Sequence, residues 1–124
     1  MGYVHATAPD AIRQGLPVSA ANAAVDAGQL SLSELDRLAI PRKTLAHRNT
    51  LGRLTAEQSD RLDRLLRMIG LAEETFGDRR KAAVWLRRPT RPLQGEAPLD
   101  LLDTDRGCRM VEDLLDRIAH GIAA

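Results

Sequence analysis

The chain has 124 residues, 2% of them aromatic and 44% hydrophobic, so its size suits one compact domain or two small helical ones with a core of Leu, Ala, Val and Ile. Helices fit that composition, because Leu and Ala lose little side-chain freedom in them, whereas strands favour the β-branched and aromatic residues that are scarce here. A formal net charge of +1, one cysteine and no apolar run approaching ~20 residues exclude a disulfide scaffold, a cysteine-based zinc cluster and a membrane span, and the expectation is a soluble, cytoplasmic protein.

Residues 1–8, with His5, read as an unanchored tail. Pro9 opens a short helix, where a missing N–H is harmless, and Gly15 stops it. Pro17 and Ser19 start an alanine-rich helix that Gly28 ends. Ser31 with Glu34 three residues later forms a capping box for a helix carrying Leu32, Leu35 and Leu38. Pro41 restarts the chain as a helix running from Arg42 to about Asn49, closed by Gly52. Thr55 and Gln58 make a second capping box for the longest helix, over roughly 56–76, with Leu62, Leu65, Leu66, Ile69, Ala72 and Phe76 as its apolar stripe. Gly77 ends that helix and Asp78 caps the next, which carries Trp85 and Leu86. Its first residues are Arg79, Arg80 and Lys81, the wrong sign for a helix N-terminus, which points to an acidic contact surface or to a small tolerated cost. Pro89 and Pro92 open a loop to Pro98, a short turn covers Leu99–Leu102, and Thr104 caps a last helix ended by Gly121. Its apolar face is Cys108, Val111, Leu114, Leu115 and Ile118. The fold class is all-α.

The two short helices joined around Ala39-Ile40-Pro41 fit a helix-turn-helix. The second places Arg42, Lys43, Thr44, His47, Arg48 and Asn49 toward a major groove, with Leu45 facing inward. Arg can bond guanine in a fork, Asn can do the same to adenine, and Lys and Thr serve phosphates. Positions 41–54 hold four basic residues and no acid. The competing reading is an ordinary amphipathic helix with a solvated basic face. Two positions depart from the common form: Ala39 stands where glycine often supplies a positive φ, which predicts a widened turn, and Pro41 stands where a Ser or Thr cap is usual. Helix-turn-helix proteins usually read paired half-sites as dimers, so a homodimer is expected.

Residues 92–124 carry seven acidic side chains against three basic ones, whereas residues 55–91 carry nine basic against six acidic. That division suggests two different partners, or simply two solvated faces. Within the carboxyl-terminal third, Trp85-Leu86, Pro89, Leu93, Gly95, Pro98, Leu101-Leu102, Thr104, Gly107, Val111, Leu114, Ile118 and Gly121 follow one another in a fixed order. This run resembles the C-terminal toxin-binding domain of the MbcA/ParS/Xre antitoxins, bacterial proteins that neutralise RES-domain toxins. The resemblance extends upstream through Ser59-Asp60-Arg61-Leu62 and Arg64-Leu65 to Arg42-Lys43-Thr44-Leu45.

The resemblance implies an Xre-like helix-turn-helix DNA-binding domain over residues 1–54 and a helical toxin-binding domain over 55–124. It also implies an antitoxin that covers the active site of a RES-domain, NAD-consuming toxin, represses its own operon through operator DNA, and needs no cofactor. The toxin-facing residues expected on this reading are Trp85, Arg88, Pro89, Leu93, Leu99, Asp100, Asp103, Asp105, Arg106 and Arg109, the aspartates from the acidic balance of residues 92–124 facing a positive pocket. Trp85 is open to a second reading, as the largest packing unit of a ring-poor core. Thr90 follows Pro89 where the family usually has asparagine. The alternative is a helical transcription regulator whose second domain serves dimerisation only.

Catalysis is not expected. His5, His47 and His120 share no metal-binding spacing, Cys108 falls on an apolar helix face, and no glycine-rich phosphate loop occurs.

Overall fold

The computed structural model describes residues 7–121; His5 and the rest of the expected tail up to residue 6 lie outside them. The described residues form seven α-helices: α1 Pro9–Gln14, α2 Val18–Asp26, α3 Leu32–Leu38, α4 Arg42–Leu51, α5 Ala56–Phe76, α6 Arg79–Leu86 and α7 Asp105–Ala119. Two 3-10 turns, Arg91–Leu93 and Pro98–Leu101, separate α6 from α7. The all-α fold class expected from the composition holds. The chain divides into two compact units inside α5, the first ending at Leu66 and the second beginning at Arg67; the sequence alone suggested a division ahead of that helix, at 54/55.

In the first unit α2, α3 and α4 pack against one another. Ala21, Leu35, Ile40, Leu62 and Leu65 are fully buried, and Leu45 is 5% exposed, facing inward as its position on α4 requires. Each such Leu or Ile contributes about 1.5–3 kcal/mol by leaving water. The capping boxes take the expected form. Ser31 Oγ accepts the Glu34 amide at 3.0 Å, and Glu34 Oε1 accepts the Ser31 amide at 2.9 Å. Thr55 and Gln58 exchange the equivalent bonds at 3.1 and 2.9 Å.

The segment after α4 returns beside the one before α2. The Leu54 amide donates to the Leu16 carbonyl at 2.9 Å and the Val18 amide to the Gly52 carbonyl at 3.0 Å, with an isolated antiparallel bridge between Pro17 and Arg53. Ser59, fully buried, accepts the Leu16 amide on its hydroxyl at 2.7 Å. That bond satisfies a backbone donor that no helix or strand would pair.

The turn between α3 and α4 differs from expectation. Ala39 sits at φ −138°, ψ −55°, outside the left-handed region, so no residue there needs glycine's freedom. The amides of Ala39 and Ile40 both donate to the Leu35 carbonyl, at 3.0 and 2.9 Å, which closes the turn without widening it.

In the second unit Asp78 caps α6, accepting the amides of Arg80 at 2.7 Å and Lys81 at 3.1 Å. Thr104 caps α7 by accepting the Gly107 amide at 3.0 Å. Between them, Thr90 and Glu96 form an isolated antiparallel bridge, the Thr90 amide donating to the Glu96 carbonyl at 3.1 Å. The reversal is made by Gln94 and Gly95, both at positive φ (58° and 86°). Leu86, Leu93, Leu99, Leu102, Val111 and Leu115 fill the core. Gly107 lies so close to the 3-10 turn that a Cβ there would meet the Leu101 carbonyl oxygen at 1.8 Å.

Candidate functional site

The first candidate surface is α4. Arg42, Lys43, His47 and Asn49 are exposed and Thr44 is half-buried. Lys43 and His47, one turn apart, share a face. Pro41 offers no side-chain cap, and the missing acceptor comes from α3: Asp36 Oδ1 takes the Arg42 amide at 2.6 Å. The sequence reading noticed the absent cap but not its replacement, because the replacement lies six residues back on another helix.

Arg48 is drawn inward. It is half-buried, and its Nε donates to the Arg53 carbonyl at 2.7 Å, while Arg53 Nη1 donates to the Gly15 carbonyl at 2.7 Å. These two arginines tie the end of α4 to the segment before α2. Asn49 Oδ1 accepts from the Asn22 side-chain amide at 3.2 Å. The outward cations of α4 are therefore Arg42 and Lys43, with His47 beside them. Arg61 adds a further tie, donating from Nη1 to the Ala39 carbonyl at 3.3 Å and pairing with Glu57.

The second candidate surface belongs to residues 67–121. Arg88, Pro89, Asp100, Asp103, Asp105, Arg106 and Arg109 are exposed. Leu93 and Leu99 are 4% and 1% exposed, so they hold the loop from within and present no contact surface of their own. The loop landmarks thus divide into supporting and outward residues, a distinction that needs the Thr90–Glu96 reversal to be seen. Asp105 and Arg109 form an exposed i,i+4 ion pair at 3.2 Å, of a kind worth about 0.3–0.5 kcal/mol. Further along α7, Glu112, Asp113 and Asp116 are exposed and border a shallow cleft of about 400 Å3 with Leu71, Thr75 and Ala119. His120 closes the helix with Nδ1 2.8 Å from the Asp116 carbonyl oxygen, as a residue near a helix C-terminus can.

Trp85 is half-buried, its ring 5.4 Å from that of Phe76 at an interplanar angle of 48°. It is partly core and partly surface. Beside it Val84 is 50% exposed, and Phe76, Arg80, Lys81, Val84, Trp85 and Arg88 line a groove of about 430 Å3. Sequence reading had marked the misplaced cations at the start of α6 but not this groove. Val84, one turn beyond Arg80 and Lys81, was the signal available.

The Asp78 carboxyl is held below the ordinary aspartate range. The Lys81 amide contributes most, then the Arg80 amide, with the two cationic side chains adding a smaller pull. Among the described residues no three His, Cys, Asp or Glu side chains come together to hold a metal, and no helix is long and apolar enough to cross a membrane. Cys108 is buried, its sulfur 3.7 Å from the Leu102 carbonyl oxygen.

A helical unit with a basic helix α4 is thus followed by a second helical unit whose last helix exposes Glu112, Asp113 and Asp116. Residues 8–67 match the antitoxin Xre-like helix-turn-helix domain, and residues 71–121 match the antitoxin Xre/MbcA/ParS C-terminal toxin-binding domain. The chain is 34% identical over 116 residues to the antitoxin Xre of Photorhabdus laumondii, covering 91% of this chain and 78% of that protein. It is 39% identical over 85 residues to the antitoxin Xre of Yersinia enterocolitica, covering 67% of this chain and 57% of that protein. With the antitoxin Xre of Pseudomonas putida the identity is 38% over 95 residues, 76% of this chain and 59% of that one. The chain belongs to the Xre antitoxin family. It spans under three fifths of the length of the Yersinia and Pseudomonas relatives.

Proposed function

We propose that this protein is an antitoxin that binds a RES-domain, NAD-consuming toxin in the cytoplasm, covers its active site, and represses its own operon as a homodimer through α4. In this reading residues 1–54 serve DNA and residues 55–124 serve the toxin. The observation that carries it is the match of residues 71–121 to the toxin-binding domain, in a chain whose residues 8–67 match a helix-turn-helix.

Electrostatics supports the division. Asp100, Asp103, Asp105, Glu112, Asp113 and Asp116 are all exposed. A pocket that accepts the pyrophosphate of NAD is expected to be positive, so these carboxylates suit its rim and speed encounter at low salt. On α4 the exposed Arg42 and Lys43 suit phosphates or guanine edges. If a dimer makes roughly six to eight phosphate contacts, log K against log salt should fall with a slope of about −5 to −7.

The test is coexpression with the protein encoded beside it. A stable complex in which NAD consumption stops supports the reading. A homodimer that binds DNA, forms no such complex and leaves NAD consumption intact supports instead a regulator whose second unit only dimerises.

A further inference from the structure

Three cations and an exposed aliphatic side chain surround one aromatic pair in the second unit. The groove is lined by Phe76, Val84 and Trp85, with Arg80, Lys81 and Arg88 around it and no carboxylate among the lining residues. Val84 is 50% exposed, although Ala82 and Leu86 of the same helix are buried. Arg80, Lys81 and Val84 lie on α6, Val84 four and three residues beyond the two cations, and Arg88 follows just past the helix end at Leu86. Two of the cations, Arg80 and Lys81, stand in the first turn of α6, where the helix dipole disfavours positive charge. The Asp78 carboxylate at the helix cap offsets part of that cost, and the remaining positive charge lines the groove.

We propose that this groove receives an acidic segment of the toxin, an apolar side chain seated against Val84 and Trp85 and its flanking carboxylates meeting Arg80, Lys81 and Arg88. The inference rests on the reading that residues 71–121 dock on a toxin. It adds a contact opposite in sign to that of the acidic α7 face, so the two surfaces together fix the orientation of the partner. Charge complementarity selects the flanks, and the apolar floor selects the anchor. A protein segment fits better than a nucleic acid. The Trp85 ring is tilted by 48° against Phe76 at 5.4 Å and is half-buried, which does not make an open platform for stacking bases.

The test uses the full chain and the protein encoded beside it, coexpressed. A photo-crosslinking amino acid in place of Val84 should join the toxin at a segment carrying an apolar residue between Asp or Glu side chains. Separately, Val84→Asp should weaken the complex by about thirtyfold, as loss of a central anchor does. Arg80→Glu with Lys81→Glu should slow association and flatten its salt dependence. That double variant places acids in the first turn of α6, where the dipole favours them and Asp78 opposes them, so a circular dichroism melt matching the parent's shows that weaker binding does not come from unfolding. Crosslinks to a basic or uncharged toxin segment, to a second copy of this chain or to nucleic acid overturn the proposal. So does an unchanged affinity in both variants while the parent complex forms. If the parent chain forms no complex at all, the toxin reading itself fails, and the groove proposal with it.

Discussion

Replacing Gly107 by alanine sets two physical effects against each other with opposite signs. Helix propensity alone favours alanine by up to about 1 kcal/mol, the value for a helix interior, and by less here because Gly107 stands in the first turn of α7. Against this, the new Cβ would lie 1.8 Å from the Leu101 carbonyl oxygen and 2.7 Å from its carbonyl carbon, both backbone atoms. A tolerable carbon–oxygen contact is roughly 3.3 Å, so the 3-10 turn Pro98–Leu101 must retreat by about 1.5 Å. Forcing such a shift in a packed core costs about 1–3 kcal/mol. Partly lifting Leu99 and Leu102, each 1% exposed, adds about 1–2 kcal/mol more. The net expectation is a loss of about 1–4 kcal/mol, centred on about 2.5. Trp85 is the single tryptophan, so urea unfolding followed by its fluorescence reports on this unit. With a slope of roughly 1.5 kcal/mol per molar, the midpoint should fall by about 1–3 M. A variant as stable as the parent, or more stable, would show that the close approach of turn and helix is not what holds a glycine here.

On α4, Arg48→Ala should cost about 1 kcal/mol of stability, because its bond to the Arg53 carbonyl is lost. Lys43→Ala, at an exposed position, should leave stability within about 0.5 kcal/mol yet lower the salt slope of DNA binding by about 1; thermal melts and salt titrations of both variants separate the two roles. Asp36→Ala should destabilise the first unit by about 1 kcal/mol through the lost cap of α4, with Asp36→Asn milder, and a urea melt that does not distinguish either from the parent counts against the cap. For Asp78, the folded carboxyl titrates below the ordinary aspartate range and the unfolded one within it. Its contribution is therefore complete above the unfolded value and disappears as pH falls through the folded value. The amide resonances of Arg80 and Lys81 should titrate together below that ordinary range, and Asp78→Asn should abolish the titration.

Helix boundaries were legible because the signals that set them are local. The boxes at Ser31–Glu34 and Thr55–Gln58, the caps Asp78 and Thr104, and the stops at Gly15, Gly52 and Gly77 each lie within a few residues of the event they control. The candidate surfaces were less legible. Arg48 reads as one more outward cation until Gly52 turns the chain and Arg53 presents a carbonyl to it. Leu93 and Leu99 read as docking residues until the reversal at Gln94-Gly95 and the turn after Pro98 place them inside. The Phe76–Trp85 pair depends on how α5 and α6 meet across Gly77 and Asp78, which no spacing along the chain records.

The bond from Arg42 to Asp36 engages only the main chain of residue 42. Its side chain takes no part in that latch, so position 42 can change identity without disturbing how the helix begins, proline excepted, since it has no N–H to give. A change of side chain at this position leaves the start of the helix in place, whereas a graft of α4 into another scaffold would have to bring along an acceptor for its first amide.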